Sequence, residues 1–399
     1  MATRALTTPN SGWRAQAAVL AFGTFAVGTD AFVIAGVLPA VSRSLSVSIA
    51  AAGQLVSVFS IAYAALSPVL AALTGNWSRR TVLVAALLVF AAGNVATALV
   101  PGYLLVLAAR VVAAVGAALF TPNAGAMAAS MAGDHRRGQA IAVVTLGLTS
   151  SLVIGAPLGT AIGNAWGWRA TIWFVTALAV VVVPIIALRL PHTRFTGAVS
   201  LRQRFTPLAD GRVLRVLAGT LLAFTGIYLP YTYISSVFAP ALDGDNNRVA
   251  VLLLAFGAAG TAGNLLAGKL ADRYGPRRVV VTATLALTVI FLAMVPIRGM
   301  FAAAVPVVAL SGLASWSVTV PQQHRAIALS PAAAAPLAVS LNAAVLYLGT
   351  SLAGVIGAVG LAWSDTAVAV PVIAAVSVLA AAILTWLSGP SERSSQSRS

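Results

Sequence analysis

The sequence contains no cysteine and very few charged side chains. Only 8% of its 399 residues are charged, whereas in soluble domains the share is about a quarter. Without cysteine there is no disulfide framework and no thiolate metal cluster to consider. Because 60% of the residues are hydrophobic, the polar side chains are too few to cover a soluble globule of this length. These absences exclude the soluble classes and predict a membrane protein.

Apolar runs near the length of about 20 residues that crosses a bilayer as a helix follow one another along the chain. They do not alternate polar with apolar residues, as the strands of a transmembrane barrel would. The sequence therefore predicts an all-α integral membrane protein with twelve transmembrane helices. The predicted spans are residues 16 to 39, 50 to 73, 81 to 100, 103 to 125, 139 to 163, 168 to 189, 215 to 238, 249 to 271, 279 to 297, 300 to 320, 333 to 359 and 366 to 387.

The distribution of basic residues predicts an orientation, because short cytoplasmic loops collect Lys and Arg. With the N-terminus inside, nineteen of the 24 basic residues lie on or next to the cytoplasmic side and one, Arg110, lies deep within a span. Both termini are therefore predicted to be cytoplasmic. Since the basic residues form collars at one membrane face, their predicted partner is anionic lipid and not nucleic acid. The four basic residues predicted on the outer side are Arg43, Arg169, Arg248 and Arg298.

An internal repeat divides the chain into halves. A shift of 198 residues places Arg277 and Arg278 over Arg79 and Arg80, and the long polar stretch RLPHTRFTGAVSLRQRFTPLADGR lies midway. Two parallel halves of six helices with a binding site between them are an architecture of secondary transporters. The predicted divisions are a cytoplasmic tail at 1–14, an N-terminal half at 15–189, a cytoplasmic linker at 190–213, a C-terminal half at 214–387 and a cytoplasmic tail at 388–399.

Two stretches make this likeness specific: the loop GKLADRYGPRR and the first two spans from residue 27 to 75. The chain resembles the major facilitator superfamily in its twelve-helix drug:proton antiporter branch, including bacterial exporters of chloramphenicol, arabinose-type sugars and purine bases. The resemblance implies a transporter of the bacterial inner membrane that works by alternating access. It implies a proton gradient as driving force, no cofactor or metal, no enzymatic activity, and function as a monomer. No nucleotide-binding loop is found in the sequence either.

The loop motif is predicted to act in two ways. Its arginines fix the orientation of the chain, and in the family the motif also holds one conformer. Gly268 and Gly275 are expected to allow close packing and a sharp turn. Asp272 is expected to pair with Arg277 or Arg278 and to sit at a helix N-terminus. In the first half Thr74 stands in place of Asp272, which leaves that copy without its carboxylate. The residues assigned to the motif are Arg79, Arg80, Gly268, Asp272, Arg273, Gly275, Arg277 and Arg278.

The fifth span reads GLTSSLVIGAPLGTAIG and carries glycines at intervals of eight, four and four residues. This spacing places them on one helix face, where another backbone can approach closely. Pro157 removes a backbone donor and is predicted to bend the helix. The stretch resembles the superfamily signature that marks exporters working by antiport, although small-residue packing alone would also account for it. The residues assigned to this face are Gly147, Gly155, Pro157, Gly159 and Gly163.

Asp30 is the only one of the eight acidic residues that falls within a predicted span. Burying a carboxylate there costs on the order of 3 kcal/mol or more, so function is the default interpretation. The alternative is a protonated Asp30 that bridges helices. Arg110 is the only basic residue deep in a span, and a tie to backbone carbonyls is its alternative role.

Asp30 and Arg110 are predicted to lie at the same depth. At about 1.5 Å per residue, both lie roughly 12 to 14 Å below the outer edge of their helices. In the family the first and fourth helices border one cavity, and an arginine at this place in RVVAAVG is a signature. The resemblance therefore implies an Asp30–Arg110 pair that couples protons to transport.

The sequence does not identify the substrate. A single acid and a single arginine in the cavity do not favour a permanent cation over a neutral or weakly polar molecule. Drugs, sugars, nucleobases and other small metabolites all fit, and an importer or facilitator on the same fold is the alternative to export. The candidate pocket residues, each of which helix packing would also explain, are Phe32, Tyr63, Phe120, Asn123, Tyr231, Trp316, Asn342 and Tyr347.

Overall fold

The computed structural model describes residues 12–74, 77–132, 136–192, 210–245, 247–329, 335–363 and 367–388. Within these ranges the chain is helical and contains no extended strand. Twelve helices are long and apolar enough to cross a membrane, as predicted. They are α1 (Trp13–Leu45), α2 (Ile49–Leu73), α3 (Arg79–Leu99), α4 (Tyr103–Ala132), α5 (Arg137–Trp166), α6 (Trp168–Arg189), α7 (Gly211–Thr232), α8 (Asn247–Tyr274), α9 (Pro276–Ile297), α10 (Phe301–Ala328), α11 (Ala335–Trp363) and α12 (Ala369–Leu387).

Six helices precede the predicted linker and six follow it, as the internal repeat predicts. Most of that linker lies outside the described residues. α7 begins at Gly211, where the Asp210 carboxylate accepts a hydrogen bond of 2.8 Å from the Arg212 amide and caps the helix. Hydrogen bonds from the Arg212 side chain to the same carboxylate hold the pKa of Asp210 below its usual value.

Several helices are longer than the apolar runs that predicted them. α1 continues to Leu45 and α8 to Tyr274, well past the expected ends. Outside the hydrocarbon region, water and lipid headgroups satisfy polar side chains, so a helix can continue there with charged residues. Arg43 and Arg273 occupy the last turns of these helices, where a cation interacts favourably with the helix dipole.

The seventh predicted span, 215 to 238, is wrong at its outer end. α7 stops at Thr232 and gives way to two short helical turns, Ile234–Val237 and Ala239–Leu242. Pro230 lacks the backbone N–H that a continuous helix requires, which weakens this end of α7. The break leaves Tyr233 free to donate a hydrogen bond of 2.6 Å to a backbone carbonyl of α11.

The two halves meet along two seams, in which α2 packs on α11 and α5 packs on α8. In the first seam, the Gln54 side chain donates to the Gly354 carbonyl at 3.2 Å. In the second, a Cβ added to Gly257 of α8 would lie 2.3 Å from the Leu152 carbonyl oxygen of α5. Only glycine permits that approach, so the halves touch backbone to backbone here. The Gln54 contact lies toward the end of the bundle that carries the α1–α2 connection, which is the outer end in the predicted orientation.

Candidate functional site

The centre of the N-terminal half holds a buried ion pair between α1 and α4. The Arg110 Nη1 atom donates to both carboxylate oxygens of Asp30, at 2.8 and 2.7 Å. The side chains of Arg110 and Asp30 are 1% and 0% exposed. Among the described residues, Asp30 is the only buried acidic side chain. The predicted pairing is confirmed, whereas its part in proton coupling stays a prediction.

Phe59 of α2 completes the environment of Arg110, and sequence reasoning missed it. The guanidinium carbon lies 4.5 Å from the centre of the Phe59 ring, within the range of a cation–π contact. The Nε and Nη2 atoms of Arg110 are buried and have no hydrogen-bond partner. Arg110 can therefore keep a stabilising contact when its bond to Asp30 changes. No pattern in the sequence marks Phe59 as a partner of Arg110.

The glycine face of α5 packs against α1, as its spacing predicts. A Cβ on Gly155 would lie 2.0 Å from the Thr29 hydroxyl, one residue before Asp30. A larger residue on this face would collide with α1 and would have to displace its side chains or the helix itself. Added Cβ atoms on Gly147, Gly159 and Gly163 would similarly meet Ala21 and Thr24, Val33, and Val37 of α1.

The irregularity in α5 is a π turn at Ser151–Gly155, directly before Pro157. In this turn the Ala156 amide bonds to the Ser151 carbonyl, five residues back. Such turns occur often at functional sites. The predicted bend at Pro157 thus takes the form of an inserted residue in the preceding turn. This turn lies between α1 on one side and α8 on the other.

Three of the candidate pocket residues form one aromatic cluster across the two halves. The Phe32 ring lies 6.2 Å from Tyr231 and 6.3 Å from Trp316, both edge to face. The Tyr231 hydroxyl also donates to the Phe32 carbonyl at 3.2 Å. Phe32 is two residues beyond Asp30 on α1, so the ion pair and the aromatic cluster share one helix.

The cluster has further members that sequence reasoning missed. Tyr228 stacks on Phe32 with ring centres 6.4 Å apart, and Phe224 and Phe256 extend the cluster through Tyr228 and Tyr231. A usable signal was present, because residues three and four apart share a helix face. The spacing of Phe224, Tyr228 and Tyr231 on α7 follows that pattern.

Tyr63 and Tyr347 form a separate aromatic contact between the halves. Their ring centres are 3.8 Å apart, with Tyr63 on α2 and Tyr347 on α11. Asn342 lies elsewhere, within the C-terminal half. Its side-chain oxygen accepts a hydrogen bond of 2.8 Å from the Thr220 hydroxyl, so it joins α11 to α7.

The last two pocket candidates belong to the interior of the N-terminal half. Phe120 is fully buried, and its ring occupies the space beside Gly23 of α1. The Asn123 side chain accepts a hydrogen bond from Arg79 and donates to the Leu119 carbonyl. The structure therefore does not bring Phe120 or Asn123 to the aromatic cluster.

Comparison with known proteins agrees with this architecture. A family model of the Major Facilitator Superfamily matches residues 20–321 and 216–399. The chain belongs to the major facilitator superfamily. It is 32% identical over 343 residues to the uncharacterized MFS-type transporter YbcL of Bacillus subtilis, covering 86% of this chain and 87% of that one. This member of the superfamily is therefore a multi-pass membrane transporter of small molecules.

Two further comparisons place the transporter among its relatives. It is 32% identical over 269 residues to the chloramphenicol resistance protein of Streptomyces lividans, covering 66% of this chain and 68% of that one. A D-xylose-proton symporter of known structure matches it with a TM-score of 0.77 over 94% of this chain and 98% of that one. At 17% identity, the second likeness shows the fold alone.

The loop motif of the transporter is a one-residue turn between α8 and α9. Gly275 has φ of 86°, which confirms the predicted sharp turn. The prediction for Gly268 is wrong, because a Cβ added there would meet nothing within 4 Å. The prediction for Asp272 is also wrong. It lies exposed in the C-terminal turn of α8 and has no ion-pair partner among the described residues, since the helix continues past it.

One loop arginine in each half binds the end of a helix, although the two are not equivalent positions of the repeat. Arg277 donates to the Thr385 carbonyl at 3.3 Å and to the Trp386 carbonyl, near the end of α12. Arg80 donates to the Leu190 carbonyl at 3.3 Å, just after α6. Unpaired carbonyls at helix C-termini are favourable partners for cations. A role of these residues in holding one conformer stays a prediction.

Proposed function

We propose that this transporter exports a small neutral organic molecule in exchange for protons, and that Asp30 takes up and releases the proton. The observation that carries the proposal is the buried Asp30–Arg110 pair. A carboxylate inside the membrane is costly, and such residues mark proton and substrate pathways. Asp30 is the sole buried acid of the described chain, so it is the natural candidate for this task.

The geometry suggests how the pair exchanges a proton. Arg110 favours the ionised form of Asp30 through charge and two hydrogen bonds, whereas burial favours the protonated form. A small separation of α1 from α4 therefore shifts the balance toward proton uptake. Arg110 stays on the Phe59 ring in either case, because that contact does not depend on Asp30.

The contacts of α1 connect the proton to the substrate. Phe32 belongs to the aromatic cluster and is bonded through its carbonyl to Tyr231 of the other half. A substrate that inserts among these rings must move Phe32, and with it the segment of α1 that carries Asp30. A molecule with an aromatic ring and few charges suits such a cluster.

Two observations favour export as the direction of transport. The glycine face of α5 resembles the exporter signature and lies against α1 at Thr29, beside Asp30. The chloramphenicol resistance protein covers about two thirds of this chain, which favours export of a molecule of that kind. Chloramphenicol is therefore the first probe to test, and sugars and nucleobases are the next.

The test is transport into inside-out membrane vesicles with an acidified lumen. The unmodified protein should accumulate chloramphenicol or another probe in the lumen and release protons from it. Asp30→Asn keeps the size and one acceptor oxygen for Arg110 but cannot exchange a proton, so uphill accumulation should vanish while some downhill exchange persists. Asp243→Asn is the matched control, because Asp243 is an exposed loop acid.

Two outcomes would contradict the proposal. Uphill accumulation that survives in Asp30→Asn would remove Asp30 from the coupling. Accumulation that ignores the proton gradient in the unmodified protein would favour a facilitator, and movement of substrate together with protons would favour an importer.

A further inference from the structure

Two of the four outer-side arginines meet at one recess. This chain concentrates its basic residues on the other face, so a pair on the outer side requires an explanation. Arg43 near the end of α1 and Arg169 at the start of α6 both line a recess of about 450 Å³. No acidic residue lines it.

The two arginines differ in how they are held. The Arg169 Nε atom donates to the Ala98 carbonyl at 3.1 Å, and its Nη1 donates to the Ser44 hydroxyl at 2.9 Å. These bonds join α3, α1 and α6, and they fix the guanidinium 4.5 Å from the Trp168 ring. The Arg43 side chain is exposed and has no hydrogen-bond or ion-pair partner in the part of the chain that the structure describes. One cation is thus fixed and the other is available.

Two residues that line the recess, Gly167 and Trp168, belong to a segment with further donors that have no acceptor. Trp168 is 2% exposed, and its indole Nε1 is buried without a hydrogen-bond partner. α6 begins at Trp168 after Gly167, and no side chain caps its first amides. The uncapped N-terminus of a helix favours an anion, and a buried N–H without an acceptor is costly. The two cations and these donors therefore favour the binding of an anionic group with several oxygen acceptors.

We propose that this recess binds the phosphate of an anionic phospholipid headgroup in the outer leaflet. Trp166 lines the same recess and is 76% exposed, in a place where α5 ends. Tryptophan is enriched at the level of lipid headgroups, and basic pockets between membrane helices bind anionic lipids. A lipid held there would contact α1, which is the helix that carries Asp30. It would also stabilise the outer end of the N-terminal half.

The experiment uses the full chain in nanodiscs of phosphatidylcholine with increasing phosphatidylglycerol. Retained phosphatidylglycerol is counted by native mass spectrometry, and thermal unfolding is followed in the same discs. We expect the unmodified protein to retain the anionic lipid and to unfold at a higher temperature as its share rises. Arg43→Gln should weaken retention about fivefold, the factor that corresponds to about 1 kcal/mol for one basic residue near an anionic surface. Arg298→Gln, an outer arginine that does not line the recess, is the matched control.

A second variant tests the donor without changing the charge. Trp168→Phe keeps the ring under Arg169 and removes only the indole N–H, so lipid retention should fall while stability in pure phosphatidylcholine stays unchanged. Inorganic phosphate added to the protein in neutral detergent should not raise the unfolding temperature. Equal retention by the unmodified protein, Arg43→Gln and Trp168→Phe would overturn the proposal. Stabilisation by millimolar phosphate alone would replace the lipid with a soluble anion and would overturn it as well.

Discussion

The two halves of the transporter share an architecture and differ in their chemistry. In the N-terminal half, Asp30 and Arg110 form a buried ion pair. The shift of 198 residues that aligns the halves places Tyr228 and Val308 at the corresponding positions of the C-terminal half. Tyr228 belongs to the aromatic cluster. The position that carries a carboxyl group in the N-terminal half therefore carries an aromatic ring in the C-terminal half.

This difference suggests a division of work under the proposed function. The N-terminal half handles the proton, and the C-terminal half supplies most of the apolar surface for the substrate. Each half needs the same helices, since the repeat sets the spans, but only a few positions decide the chemistry. Phe32 is the point of contact, because it lies on the helix of Asp30 and packs on rings of the other half.

The largest expected effect comes from breaking the packing beside the ion pair. Gly155→Leu or Gly159→Leu should abolish transport while leaving folded protein, because the added side chain collides with Thr29 or Val33 of α1. Transport in vesicles is the measurement, with the amount of membrane-inserted protein as reference. Gly138→Leu is the control on the same helix, since a Cβ there meets nothing within 4 Å. Normal transport by Gly155→Leu would show that α5 need not stay close to α1.

A smaller effect is expected when the cation alone is removed from the N-terminal half. Arg110→Ala leaves the carboxylate of Asp30 without its counter-ion, so the protonated form should persist to higher pH. The midpoint of the pH dependence of proton-driven transport should therefore move upward. The double variant Asp30→Asn with Arg110→Ala should be no worse than Asp30→Asn, because both residues act in one titrating unit. A downward shift, or an additive loss in the double variant, would argue against that unit.

Substitutions in the aromatic cluster should alter substrate affinity without changing the coupling to protons. Trp316→Leu should raise the KM for the transported probe about tenfold, which corresponds to about 1.4 kcal/mol. Trp316→Phe should raise it less, since a ring still faces Phe32. The number of protons exchanged per substrate should not change in either variant. Trp173→Leu is the control, because Trp173 is 44% exposed on α6. A changed proton stoichiometry in Trp316→Leu would break the division between the halves.

The same comparison shows what the sequence could predict. The twelve spans follow from apolar run length, and helix rise places Asp30 and Arg110 at the same depth. The family resemblance implies that α1 and α4 border one cavity, and the two together predict the ion pair that the structure contains. The sequence could not predict the contact between Phe59 and Arg110, because a contact between α2 and α4 depends on how the two helices are rotated about their axes. The π turn at Ser151–Gly155 was also hidden, since it depends on packing against both α1 and α8.

The errors in the helix bounds have a common physical origin at the ends of helices. The predicted spans end where hydropathy falls, but backbone hydrogen bonding continues a helix into the headgroup region. Asp272 thus lies in the last turn of α8 and not in a loop. Phe120 and Asn123 are pocket candidates in the sequence, but the side of α4 on which they lie puts them in the interior of one half.

The smallest effect is expected at the loop arginines, one of which in each half donates to the end of a helix. Arg277→Ala removes hydrogen bonds to the end of α12, as Arg80→Ala does for the segment after α6. These contacts lie at helix ends, whereas Asp30 and Arg110 lie within their helices, so substrate affinity of the purified protein should change by no more than about threefold, as for a single partly exposed charge. The transport rate and the amount of inserted protein should fall more than the affinity. An affinity loss of about a hundredfold, or about 2.7 kcal/mol, would show that the α8–α9 turn acts on the binding site directly.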